Sequence, residues 1–375
     1  MIPSAAAPAI HRIYNFSSGP AVLPEEVLLE AKENLLSLGQ SGIGILEISH
    51  RSKEFESIIR EAEANLRTLL GVPKGMAIVF LQGGASLQFS MVPMNLLVPG
   101  DTADYIVTGE WGRRAVVEAR RIENAHIHVA ASTEDENFCR VPADSELQLS
   151  AQPAYVHYTT NNTIFGTQFH RIPQVGSRPL VADMSSDFLS RPMDIARYGL
   201  VYAGAQKNAG PAGVTVVILR EDLLRQNAAQ QDRLPMLLNY RTHIEHKSLY
   251  NTPPVFAVYI THLVLRWLLR RGGLPAMAEY NQKKADLIYQ AIDAAPGFYR
   301  GHAQTDSRSL MNITFRLPSQ ALEDEFAKQA KAQGLDGLKG HRSVGGMRAS
   351  VYNAFPIEGA RTLSQFMADF ARTHG

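Results

Sequence analysis

Leu200-Val-Tyr-Ala-Gly-Ala-Gln-Lys-Asn208 begins with an uncharged run suited to a buried strand and ends on a lysine among small and amide residues. A strand with no polar face needs cover on both sides, which is the habit of parallel sheets flanked by helices. Just upstream, Pro179-Leu-Val-Ala-Asp183 repeats the design and ends on an acid. Val214–Leu219 follows downstream, and Ala77–Leu81, Asp104–Thr108, His126–Ala130 and Ala154–Tyr158 precede. Between such runs lie stretches of helical period: Phe55, Ile58, Ile59, Ala62, Leu66, Leu69 and Leu70 recur at spacings of three and four until Gly71. Strands alternating with helices predict an α/β protein with a mainly parallel sheet.

The pattern changes after Pro253-Pro254. A long helical stretch leads to a second helix over about Pro275–Ala295, a strand (Leu310–Arg316), a helix (Gln320–Gln333), a strand (Met347–Tyr352) and a last helix with Ile357, Ala360, Leu363, Phe366, Met367 and Phe370 on one face. We expect an N-terminal arm over 1–14, a large domain over 15–260 and a smaller α+β C-terminal domain over 261–375. No internal repeat is found.

The 375 residues include 45% hydrophobic and 19% charged residues, with a net charge of +1. That balance lacks the basic excess a nucleic-acid binder shows. No apolar stretch reaches the roughly 20 residues of a membrane span; the greasiest, Val255–Leu269, contains His262 and Arg266. Residues 1–10 carry no charged n-region and do not read as a signal peptide. Cys139 is the only cysteine, which favours a reducing cytoplasm. No metal-ligand spacing is present.

Lys207 stands apart from other cations, among residues small enough to let a bulky ligand approach, so its amine is a candidate nucleophile. Ligand crevices of α/β sheets lie beyond the carboxyl ends of strands, which brings Asp183 towards the same pocket, although Asp183 also suits a turn with Ser185 and Ser186. Gly83-Gly-Ala-Ser86, at a strand-to-helix junction, suits an anion at the first helical N–H groups. Trp111, in Thr108-Gly-Glu-Trp-Gly112, offers a flat stacking face. Gly340-His-Arg-Ser-Val-Gly-Gly-Met-Arg348 gathers His341, Arg342 and Arg348 around glycines, and Glu47-Ile-Ser-His-Arg-Ser-Lys-Glu-Phe55 supplies His50 and Arg51. Such groups clamp carboxylates or phosphates.

Taken in order, Asn15–Pro20, Glu47–Phe55, Ser185–Pro192, Tyr202–Asn208, Asn251–Pro254 and Gly340–Ser350 resemble the phosphoserine aminotransferase family of class V aminotransferases, over nearly the whole chain. The resemblance implies the PLP-dependent aspartate-aminotransferase fold (fold type I), with a seven-stranded sheet in the large domain. It implies pyridoxal 5'-phosphate as cofactor, Lys207 as its Schiff-base lysine and Asp183 as partner of the pyridine nitrogen. Trp111 would stack on the ring and Thr163 would meet its phenolic side. Ala85, Ser86 and Gln206 would hold the phosphate, joined by Asn251 and Thr252 of a second subunit in a homodimer with shared active sites. Ser18, His50, Arg51, His341, Arg342 and Arg348 would bind substrate, Arg348 taking the α-carboxylate. The implied reaction is ping-pong transfer between L-glutamate and 3-phosphohydroxypyruvate in serine biosynthesis, with a four-carbon substrate of pyridoxine biosynthesis fitting the same clamp. Gly112 and Asn162 depart from the family pattern, which has Ser and often Glu there. Two rival readings are another class V reaction (alanine–glyoxylate transamination or cysteine desulfuration) and a non-catalytic anion-binding module. Cys139, in the polar stretch Thr133–Cys139, lacks the setting that desulfuration demands.

Overall fold

The computed structural model describes residues 12–226 and 228–375; residues 1–11 of the expected arm lie outside them. Seven strands form the central sheet: β1 (Met76–Leu81), β2 (Thr102–Val107), β3 (His126–Ser132), β4 (Tyr155–Thr159), β5 (Leu180–Asp183), β6 (Leu200–Gly204) and β7 (Thr215–Arg220), in the order β1-β7-β6-β5-β4-β2-β3. The mainly parallel, seven-stranded sheet is the expected one. β7 pairs antiparallel with both β1 and β6, while the other pairings are parallel. The connection explains β7: a parallel crossover needs a dozen or more residues, and the loop after Gly204 is shorter and closes with Ala205 N–H donating to Val214 O (2.9 Å). That returning loop carries Lys207.

Every residue of β1, β4, β5 and β6 is buried, because helices cover both faces. On one side lie α1 (Glu25–Glu33), α2 (Lys53–Leu70) and the long α5 (Val255–Arg270). Ser52 caps α2 by accepting from Phe55 N–H, and Gly71 ends it at φ +62°. On the other side lie α3 (Gly84–Leu96) and α4 (Glu110–Ala119). Among the described residues no helix is long and apolar enough to cross a membrane.

The C-terminal unit pairs strands β8 (Arg300–Gly301), β9 (Asn312–Arg316) and β10 (Met347–Ser350) with helices α6 (Gly273–Asp293), α7 (Gln320–Ala332) and α8 (Ile357–His374). Helix α5, apolar nearly all round, buries Val264, Leu265 and Leu268 in the sheet-side core, and that core runs on to Leu274 and Met277. From Ala285, α6 belongs to the C-terminal core. Apolar packing therefore divides the units inside α6, later than residue 260. The N-terminal segment crosses over as well: Tyr14–Asn15 pairs with Leu335–Asp336, and Phe16 packs 4.5 Å from Phe355 between ring centres.

Candidate active site

Lys207 hangs from the loop between β6 and β7, half-buried at the junction of the two units. Its Nζ lies 3.4 Å from Thr163 Oγ1 and 5.8 Å from the centre of the Tyr352 ring. Gly19 crosses directly above it: a Cβ there would stand 3.3 Å from Lys207 Cδ and Cε. Burial, and after it the charge of Arg348, lower the Lys207 pKa to about 7, against the opposite pull of Asp183. Near neutral pH much of the amine is thus unprotonated and nucleophilic.

Asp183 ends β5, 4% exposed, with Oδ1 accepting from Ser185 N–H (2.9 Å). Burial raises its pKa to about 6, the hydrogen bonds from Ser185 resisting, so at neutral pH it is largely a carboxylate with few partners. Such a group suits a protonated ring nitrogen.

Arg348, on β10 and 8% exposed, is a buried cation with no ion-pair partner among the described residues. Its guanidinium donates to Thr163 O (3.1 Å) and Ser18 Oγ (2.8 Å), and Nε is buried without a partner. Neutral acceptors leave the charge uncompensated, which is costly unless an anion arrives. His341 and Arg342 sit in the turn just before β10, which closes with Gly345 N–H on His341 O (2.8 Å). Glycine is required at 340, where a Cβ would lie 2.0 Å from Gly345 O. His341 is half-buried and Arg342 exposed; burial first, then Arg348 and Arg342, lower the His341 pKa.

Ala85 and Ser86 occupy the first turn of α3, entered through Gly83 (φ +88°) and Gly84 (φ +67°). Gln206 folds back over Gly204, where a Cβ would meet its Oε1 at 2.6 Å. Trp111, in the first turn of α4, carries Arg114 5.0 Å from its ring centre. Asn162 donates to Thr108 Oγ1 (3.1 Å) and Thr167 Oγ1 (3.0 Å), steadying the loop that leads to Trp111. Gly112 has only ordinary contacts where a Cβ would be.

The chain does not bring every expected residue to Lys207. His50 and Arg51 line a separate cavity of about 590 Å³ with Arg60, Phe80, His246 and Leu249. Asn251 and Thr252 lie beside Gln82, whose Nε2 donates to Thr252 O (3.3 Å). Conversely, sequence reading passed over Tyr352, whose hydroxyl donates to Ser18 O (2.8 Å) and accepts from Asn312 Nδ2 (2.9 Å). It also passed over the buried amides behind it: Asn161 Nδ2 donates to Ser186 Oγ (2.7 Å) and Asn312 Oδ1 (2.8 Å). The available signal was Asn312, an amide in the apolar run Leu310-Met-Asn-Ile313, which burial tolerates only with partners.

An amine of low pKa and a buried carboxylate fall together near an arginine with no ion-pair partner among the described residues. Residues 13–363 match the family model "Aminotransferase class-V", and the chain belongs to that family of enzymes. Within the class its likeness is to the phosphoserine aminotransferases: it is 55% identical to that of Herpetosiphon aurantiacus, over 97% of this chain and 99% of the relative. A solved phosphoserine aminotransferase from Bacillus circulans subsp. alkalophilus superposes with a TM-score of 0.94 at 52% identity, covering 97% and 99% of the two chains. A PLP-bound one from Trichomonas vaginalis gives 0.89 at 38%, covering 95% and 99%. The residues here suit such a group: Lys207 for an aldehyde, Asp183 for a pyridine nitrogen, and the Gly83–Ser86 turn with Gln206 for a phosphate.

Proposed function

We propose that this chain is a phosphoserine aminotransferase, exchanging the amino group between L-glutamate and 3-phosphohydroxypyruvate to give 2-oxoglutarate and O-phospho-L-serine. The observation that carries the reading is Arg348, a buried guanidinium with no carboxylate partner among the described residues, set near the low-pKa amine of Lys207. Bound pyridoxal phosphate supplies an electrophilic carbonyl and a ring that accepts the electrons released at the substrate Cα. Lys207 Nζ would hold the cofactor aldehyde; freed, its amine would accept the substrate Cα proton as base and deliver it as acid to the carbon that bore the aldehyde. Asp183 would keep the ring nitrogen protonated, Trp111 would cover the ring and Thr163 would steady its phenolic side. Ala85, Ser86 and Gln206 would hold the phosphate. Arg348, backed by Ser18, orients the α-carboxylate.

His341 and Arg342, with His50 and Arg51, receive the far anion, a carboxylate in one half-reaction and a phosphate of roughly −1.5 to −2 charge in the other. His341 suits this alternation, because an imidazole can take up a proton with the more charged ligand. Since His50 and Arg51 line another cavity in this chain, a second copy delivers them, as it does Asn251 and Thr252. A homodimer is further supported by the exposed Leu35, Leu36, Ile43 and Leu46, with Leu36 88% exposed. The same clamp fits the four-carbon phosphorylated 3-hydroxy-2-oxo acid of pyridoxine biosynthesis, and the lone Cys139 suits the cytoplasm.

The test is a half-reaction on the holoenzyme. O-Phospho-L-serine and glutamate should each discharge the visible cofactor band, and alanine at the same concentration should not. Discharge by alanine as fast as by O-phosphoserine would turn the reading towards another class V reaction. A purified protein without a visible band that borohydride leaves unmodified would favour the non-catalytic module.

A further inference from the structure

Lys284, on α6, is 0% exposed. A buried ammonium is costly without compensation, and no carboxylate pairs with it among the described residues. Its Nζ donates to Val351 O (2.9 Å) and Tyr352 O (2.5 Å), and it stands 4.7 Å from the centre of the Tyr280 ring. Burial, and after it Arg271, hold its pKa well below the usual lysine range. A neutral amine has two N–H donors, which match the two carbonyls. Three residues earlier, on the same helix face, Asn281 Nδ2 donates to Asn353 Oδ1 (2.8 Å) and Ser190 O (3.0 Å). Helix α6 therefore grips three consecutive residues, 351–353, where the chain leaves β10.

Those residues reach the site directly. The Tyr352 ring lies beside Lys207 Nζ, and its hydroxyl donates to Ser18 O. Ser18 Oγ in turn accepts from Arg348. Asn353 N–H donates to Asn208 Oδ1 (2.9 Å), on the residue after Lys207. An apolar side chain of like length would keep the packing at this position but leave the carbonyls of Val351 and Tyr352 without this donor.

We infer that Lys284 is a positioning residue for transamination: by fixing the carbonyls of Val351 and Tyr352 it keeps Tyr352, Ser18 and Arg348 in place opposite Lys207. It touches neither cofactor nor substrate. The inference rests on the reading of Lys207 and Arg348 given above, and the test separates the two. Glutarate, a dicarboxylate without an amino group, is titrated into wild-type and Lys284→Met holoenzyme, following the visible cofactor band, and the band is also titrated with pH without glutarate. Lys284→Met should remain folded, with its glutarate Kd raised about tenfold or more, as expected from displacing a charge-assisted contact. Its pH midpoint should rise by about half a unit, because a relaxed Arg348 repels the lysine nitrogen less. An unchanged Kd and midpoint in folded Lys284→Met overturns the inference and leaves Lys284 a packing residue. Should Lys284→Met not fold, Lys284→Gln, too short to span both carbonyls, is read by the same two criteria. A wild-type holoenzyme blind to glutarate overturns the site reading itself.

Discussion

Lys207 shows how one side chain acquires chemistry from its neighbours. In Ala203-Gly-Ala-Gln-Lys-Asn208 nothing lowers an amine's pKa; burial under Gly19 and the charge of Arg348 do so, and both come from far along the chain. The sign of the consequence follows from proton counting. In the cofactor-free protein the folded-state pKa is about 7 against an ordinary 10.5, so the unfolded chain binds more protons between those values and stability from this group rises with pH across that window. Asp183, raised from 3.8 to about 6, acts oppositely: its contribution is complete below about pH 4 and is lost as pH rises through 6. Lys207→Met removes the first effect and, by taking a cation away from Asp183, enlarges the second. Its melting temperature, compared with cofactor-free wild type, should be higher near pH 6–7 and the advantage should fade towards pH 10. A difference independent of pH in calorimetry would mean that the lysine is not desolvated in solution.

The helix start after β1 is the element on which cofactor retention is expected to depend most directly. Gly83 stands at φ +88°, and a Cβ there would lie 2.5 Å from Leu87 Cδ2, in the first turn of α3. Gly83→Ala should cost about 1–2 kcal/mol from the left-handed backbone and raise the Kd for pyridoxal phosphate about tenfold, because the Ala85 and Ser86 N–H groups are displaced. Gly71, at φ +62° with nothing within 4 Å of a Cβ, is the control: Gly71→Ala should lose similar stability and keep the cofactor. Fluorescence titration of the cofactor-free proteins separates them, and equal affinities in both variants would remove the turn from the phosphate site. Much at this scale was legible from sequence. Strands buried on both faces are mostly apolar, so β1, β5 and β6 are plain in the chain, and Gly71 marks the end of α2. The direction of β7 was not read, although the shortness of the Lys207 loop carries it. The amides at Asn161, Asn312 and Asn353 and the buried Lys284 read as ordinary polar residues, because their side-chain partners lie 25 to 164 residues away.

For the whole molecule, the central matter is which parts of the clamp one chain assembles. Ser18 and Arg348 meet across 330 residues because Tyr14–Asn15 joins the C-terminal unit before the chain passes over Lys207. No local pattern announces that pairing, though both residues stood out as candidate anion ligands. His50 and Arg51 stood out too, yet they line a cavity away from Lys207 and close to the exposed Leu36 and Leu46 in sequence. An isologous dimer exchanges such surfaces reciprocally, so each site would draw its lysine from one copy and this His-Arg pair from the other. That arrangement makes two separately crippled chains complementary. Homodimers of Lys207→Ala lack the amine, and homodimers of the double variant His50→Ala, Arg51→Ala lack half the clamp. In the mixed dimer, the site built on the double variant's own Lys207 receives His50 and Arg51 intact from the Lys207→Ala copy. Its other site lacks both. Random reassortment makes half the dimers mixed, each with one complete site of two, so about one quarter of wild-type activity should return after mixing, partial unfolding and refolding. Recovery near that fraction, absent when either variant is refolded alone, would show a shared site. Activity no higher than the mean of the two parents would place His50 and Arg51 at their own chain's lysine or outside the clamp altogether.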